Sequence, residues 1–221
     1  MRLPGLGGWR EDPLWSYVYP WLVEHDRVGG AAWRVGTGSD LGLIQDAAAE
    51  LGTLPAGSRV LDVPTGSGVA LRGLHPGQDV EVVLGDISAT MLCRALASAA
   101  RLRGVGQVLP VVMDVGALPF DAGAFDMVVS FTGLHCFPEP RRAVEEIVRV
   151  LRPGGALVGS SMFTDTGIRH APLRWFGSRT GVLGPMCTSS EAAHWMRQAG
   201  CDAVDMRLDG AFGYFRATRA A

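Results

Sequence analysis

The chain has 221 residues, enough for one α/β domain with a sizeable core and at most a small appendage. Apolar residues make up 48% and charged residues 19%, a balance that excludes a disordered chain. The formal net charge of -2, with only short basic clusters such as Arg141-Arg142, excludes a general attraction for nucleic acid.

In chain order, residues 1–52 read as a helical cap belonging to the same domain as residues 53–221. Trp9, Trp15, Tyr17, Tyr19, Trp21 and Trp33 crowd into a stretch broken by Pro13, Pro20 and Gly29-Gly30. Their bulk is expected to pack between cap and body, with Trp15, Tyr17 and Tyr19 also able to wall an apolar substrate pocket. From Ser39, read as an N-cap, LGLIQDAAAELG sets Leu41, Ile44, Ala48 and Leu51 on one helical face, with Gly52 as the stop.

The chain then alternates strand and helix, which predicts a mostly parallel, doubly wound sheet covered on both faces. Strands are expected at 59–63, 80–85, 108–113, 124–131 and 156–162. Helices are expected after the glycine turn up to His75-Pro76-Gly77, from Ser88 to about Arg103, and from Pro140 to Leu151, where Pro153-Gly154-Gly155 ends the last. Residues 163–187, with Gly167, Pro172, Gly177, Gly181, Gly184 and Pro185, lack a period and read as an irregular insertion on the substrate side. Thr188 or Ser189 caps a helix through Gln198. Asp209-Gly210 between two β-patterned runs predicts a closing hairpin, and hence a seven-stranded sheet ending in an antiparallel strand.

The first strand leads into VLDVPTGSGVAL, residues 60–71. A dinucleotide fingerprint needs a third glycine where Leu71 stands, and a P-loop needs a lysine, which the chain lacks altogether. Acids end the strands instead: Asp62, Asp86 and Asp114. Together they would repel a phosphate and suit a ligand with hydroxyls, an exocyclic amine and a positive charge. S-adenosylmethionine carries all three. Its ribose diol can donate to Asp86 and its adenine amine to Asp114, while Ile87 and Val115 can pack on the two adenine faces.

These segments resemble the class I S-adenosylmethionine-dependent methyltransferases, in the small-molecule (UbiE-like, methyltransferase type 11) branch. The motifs are VLDVPTGSG at 60–68, LGDISATML at 84–92, MDVGALPFDAGAFDMVVS at 113–130 and EEIVRVLRPGG at 145–155. The resemblance implies a Rossmann-like fold, S-adenosyl-L-methionine as cofactor and a small-molecule methyl acceptor. It assigns Asp62, Thr65, Gly66 and Gly68 to the methionine end of the cofactor, Asp86 and Ile87 to ribose and adenine, Met91 to the adenosine wall, and Asp114 and Val115 to adenine. Ser130 falls at the end of the fourth strand, beneath the donor. Pro64 and Thr65 depart from the family's usual glycine and cysteine, and the proline removes one amide donor.

Catalysis is expected from FTGLHCF after the fourth strand, where the D/N-P-P-Y/F segment of base methyltransferases is missing. His135 is either a general base for a hydroxyl acceptor or a packed histidine bonding a loop carbonyl. His170 and Asp165 are secondary candidates. His25, His75 and His194 read as surface residues, Glu146 and Arg149 as a surface or latch pair on a helix, and Arg152 as a charge favourable to a helix C-terminus. The expected activity is methyl transfer to an O, N or C nucleophile of a small, largely apolar metabolite. The alternatives are cyclisation or rearrangement on the same scaffold, or a non-catalytic nucleoside-binding subunit. The four cysteines have no metal-ligand spacing, so free thiols and no metal are expected. No apolar run reads as a signal peptide or bilayer span, which makes a cytoplasmic location the expectation and leaves a homo-oligomer open.

Overall fold

The computed structural model of the protein describes residues 26–102, 104–179 and 182–221, so Trp15, Tyr17, Tyr19 and His25 lie outside the described residues. The strands are β1 (Ser58–Asp62), β2 (Val80–Asp86), β3 (Gln107–Val112), β4 (Phe125–Phe131), β5 (Leu151–Met162), β6 (Cys201–Asp209) and β7 (Phe212–Arg219). They form one seven-stranded sheet in the order β3-β2-β1-β4-β5-β7-β6. The first five run parallel, and β7 enters antiparallel between β5 and β6. The apolar runs become the middle of the sheet because each can be buried on both faces, and the Asp209-Gly210 hairpin inserts its second strand beside β5.

The helices are α1 (Asp26–Thr37), α2 (Gly42–Ala48), α3 (Ala89–Ala99), α4 (Pro140–Val150), α5 (Ala171–Arg179) and α6 (Ser189–Gln198). One apolar layer joins Trp33, Leu41, Ile44 and Leu51 to Val60, Val82 and Val129 on one face of the sheet. The other joins Leu61, Val83 and Val128 to Val144, Ile147, Val148 and Met196 beneath α4 and α6. Each fully buried side chain of this size contributes roughly 1.5–3 kcal/mol. Caps fix where the helices start. Ser88 Oγ accepts the Met91 amide at α3, Pro140 occupies the first turn of α4, and Thr188 and Glu191 form a reciprocal capping box at α6.

Four expectations are corrected. Ser39 does not cap a helix: its hydroxyl is buried against the Tyr214 hydroxyl at 2.7 Å, and Asp40 Oδ1 accepts the Gly42 amide instead. The helix expected after the glycine turn shrinks to a 3-10 segment, Val69–Gly73. Gly73 there lies so close to the Ala48 carbonyl that a Cβ would have no room, and Pro76 disfavours helical backbone just before it. Arg152 pairs with the Asp126 carboxylate rather than with a helix end, because β5 starts at once after α4 and shifts register between Phe125 and Met127. The insertion at 163–187 is not wholly irregular, since it contains α5. Among the described residues no helix is long and apolar enough to cross a membrane.

Candidate active site

Parallel strands leave their carboxyl ends along one edge, and strand order reverses between β1 and β4, so the turn after β1 opens at the crevice. A cavity of about 650 Å³ lies there, within the size range of small-molecule sites. Asp62, Pro64, Thr65, Gly66, Asp86, Ile87, Met91, Met113, Asp114 and Val115 line its half beside β1–β3. Trp33, Phe131, Phe137, Met162, Leu173, Phe176, Leu183 and Phe212 are the apolar wall of the other half, beside β4, β5 and β7.

The turn is built by its glycines. Gly66 and Gly68 have φ of +53° and +84°, where residues with a Cβ are strained, and nothing lies within 4 Å of where a Gly66 Cβ would stand. The Val63–Pro64 peptide bond is cis. The Thr65 amide donates to the Gly85 carbonyl at 2.8 Å, and the Gly66 amide to Asp86 Oδ2 at 3.0 Å. Both turn amides are thus tied to the end of β2.

The acids differ in setting. Asp62 is buried and accepts from the Thr65 hydroxyl at 2.7 Å. Burial pushes its carboxyl up to about 7, the Asp86 charge adds to the rise, and the Thr65 hydroxyl opposes it. Asp86, also buried, accepts the Ser88 amide on Oδ1 and the Gly66 amide on Oδ2. Asp114 is exposed at the cavity rim, and its Oδ1 accepts the Gly116 amide at 2.9 Å.

Among the described residues, His135 is the one histidine that lines the cavity. It is carried by a tight turn after β4 in which Thr132 has φ +54°. Gly133 sits there against Pro64: a Cβ would stand 2.3 Å from Pro64 Cδ, 2.8 Å from Ser130 Oγ and 2.9 Å from the Phe137 ring. The buried imidazole turns Nδ1 toward β5, where the Met162 amide donates to it at 3.0 Å and Ser161 Oγ stands 3.1 Å away. Desolvation draws its pKa down to about 4. The loop that closes over this turn is anchored by the Gly184 amide donating to the His135 carbonyl at 2.8 Å.

The remaining sequence candidates fall elsewhere. Gly68 and Ser130 stand behind the cavity wall, Ser130 with a buried hydroxyl that has no hydrogen-bond partner among the described residues. His170 is buried beside Gly38 at the end of α1 and is not among the residues that line the cavity. Asp165 accepts from the Ser189 amide and hydroxyl and so fastens the start of α6. Glu146 and Arg149 do form a latch: the guanidinium also donates to the Leu118 and Phe120 carbonyls, and Glu146 accepts the Leu118 amide. Sequence reading gave Trp33 to cap-to-body packing alone, whereas it also lines the cavity, its ring tilted against Phe212 with centroids 4.9 Å apart. Its position on the inner face of α1, one turn before Thr37, was the available signal.

Comparison with known proteins agrees with this geometry. Residues 60–155 match the family described as "Methyltransferase domain". The demethylmenaquinone methyltransferase of Clavibacter sepedonicus is 39% identical over 103 residues, 47% of this chain and 40% of that protein. The chain therefore spans less than half the length of that curated relative. Among solved structures, a possible exported protein from Bordetella parapertussis superposes with a TM-score of 0.73 at 17% identity, covering 93% of this chain and 79% of that one. The [4+2]-cyclase SpnF superposes with a TM-score of 0.62 at 21% identity, covering 82% of each chain. At these identities the two structures speak to the fold alone.

Proposed function

We propose that the chain, whose residues 60–155 match a methyltransferase domain, is a class I S-adenosylmethionine-dependent methyltransferase and transfers a methyl group to an O, N or C nucleophile of a small, largely apolar acceptor. One observation carries this reading. A single cavity joins an end rich in carboxylates and open glycine backbone to an end walled by aromatic and aliphatic side chains.

The residues present fit the cofactor. Gly66 gives open backbone, Asp62 and Asp86 give buried carboxyl oxygens, and Met91, Met113 and Val115 give apolar walls. Asp62, Thr65 and Gly66 would hold the methionine end, Asp86 the ribose, and Ile87, Asp114 and Val115 the adenine. When bound, S-adenosylmethionine supplies a methyl group already activated on a sulfonium. The protein's share is then to align the acceptor and exclude water. Trp33, Phe131, Phe212 and Met162 form a dry wall that orients an apolar acceptor by shape. Among the described residues no Asp, Glu or Arg lines that half, so a highly charged acceptor would enter without a counter-charge.

The test is incubation of the full chain with isotope-labelled S-adenosylmethionine and a panel of apolar phenols, amines and enolisable ketones, read by mass spectrometry. A product heavier by one CH₂ and carrying the label supports methyl transfer. A product of unchanged mass points to rearrangement, and cofactor binding without any product points to a non-catalytic subunit; either would contradict the reading.

A further inference from the structure

We propose that His135 acts as a fixed hydrogen-bond donor, holding its proton on Nε2 and presenting it to an oxygen of the acceptor, and not as the base that removes the acceptor's proton. The inference rests on the methyl-transfer reading for the identity of the molecule that receives the hydrogen bond. The tautomer itself does not depend on that reading.

The main-chain amide of Met162 can only donate, and it points at Nδ1 from 3.0 Å. Nδ1 must therefore be an unprotonated acceptor, and a neutral imidazole with that nitrogen bare carries its proton on Nε2. This tautomer follows from the direction of one backbone bond and needs no assignment of side-chain hydrogens. A ring held in this way can take up a proton only at Nδ1, which means giving up the Met162 bond. Its free edge is Nε2, for which no described residue serves as a partner, and the side chain lines the cavity at its apolar end. Burial acts in the same direction, keeping the ring neutral across the physiological range.

A donor in an otherwise apolar wall selects an acceptor molecule with one outward-facing oxygen that can accept, such as a carbonyl or an ionised hydroxyl. A proton lost by a hydroxyl, amine or enol passes to water or is lost before binding. The other ionisable side chains at the cavity, among the described residues, are Asp62, Asp86 and Asp114 at the far end and Cys136.

Two measurements decide it. Long-range proton–nitrogen correlation spectra of the ¹⁵N-labelled full chain, with His135→Gln to assign the signal, should show a protonated Nε2 and a bare Nδ1 from pH 8 down to pH 5. An Nδ1–H ring, or an imidazolium at pH 7, overturns the proposal. Binding of acetophenone and of ethylbenzene, which differ chiefly in the carbonyl, should favour the ketone about 2- to 10-fold, the worth of one hydrogen bond. His135→Gln should keep that preference and His135→Phe lose it, and an equal preference in all three proteins overturns the donor role. Failure to detect methyl transfer with any acceptor would strike the functional reading and leave both of these results standing.

Discussion

Asp86 Oδ2 accepts the Gly66 amide at 3.0 Å, so the acid that ends β2 is fastened to the turn that follows β1. Its other oxygen accepts the Ser88 amide at 2.9 Å, at the start of α3. One carboxylate thus organises three pieces of the cleft: the glycine turn, the end of β2 and the first turn of α3. Any ligand that bonds Asp86 meets a group already oriented by two main-chain amides.

Asp62 and His135 should give opposite pH dependences of stability. The Asp62 carboxyl is raised from 3.8 to about 7, so between those values the native state holds a proton that the unfolded chain has released, and stability falls as pH rises. The His135 ring is lowered from 6.5 to about 4, so between those values the unfolded chain holds the extra proton, and stability is lost as pH falls. Each effect is on the order of a few kcal/mol. Urea denaturation of Asp62→Asn from pH 4 to pH 8 should show the variant gaining on the wild type as pH rises. A constant difference would show that the Asp62 carboxyl titrates normally.

Gly133→Ala should destabilise the protein by about 1–3 kcal/mol, the usual cost of forcing a methyl group into a packed core. The new Cβ would meet Pro64 Cδ at 2.3 Å, and Pro64 belongs to the turn after β1. Because the His135 turn would be pushed away from the turn after β1, turnover should fall more than cofactor affinity does. A thermal or urea midpoint equal to that of the wild type would count against this packing.

Arg149→Ala should cost about 1–2 kcal/mol in urea denaturation, more than a surface ion pair is usually worth. The difference comes from its bonds to the Leu118 and Phe120 carbonyls, which hold the loop between β3 and β4 against α4. Arg141→Ala, which breaks only an exposed pair with Glu145, should change stability by less than about 0.5 kcal/mol.

The parallel strands, the acids at their ends and the closing hairpin were legible because each is a local pattern: an apolar run, an aspartate at its end, a turn dipeptide. The cleft's acid half was legible for the same reason. Its apolar half was not, because Trp33, Met162, Leu173 and Phe212 come from four elements with no shared spacing and meet only when β7 inserts beside β5. Ser39 misled because a buried bond to Tyr214, 175 positions away, outcompeted its capping role. Gly210 was read as a turn residue, yet its φ of +59° also brings the hairpin against α1: a Cβ there would stand 2.3 Å from the Gly38 carbonyl carbon. The His135 tautomer was hidden too, since it is set by a main-chain amide 27 residues further along the chain.

The most direct measurement is calorimetric titration of the full chain with S-adenosylmethionine, beside Asp86→Asn, which keeps a side-chain oxygen for the turn while removing the charge. Saturable binding one ligand per chain, weakened about ten- to a hundredfold in the variant, is the predicted result for hydrogen bonds to a charged group. Absence of binding to the wild type, or equal affinity in both proteins, would contradict the account.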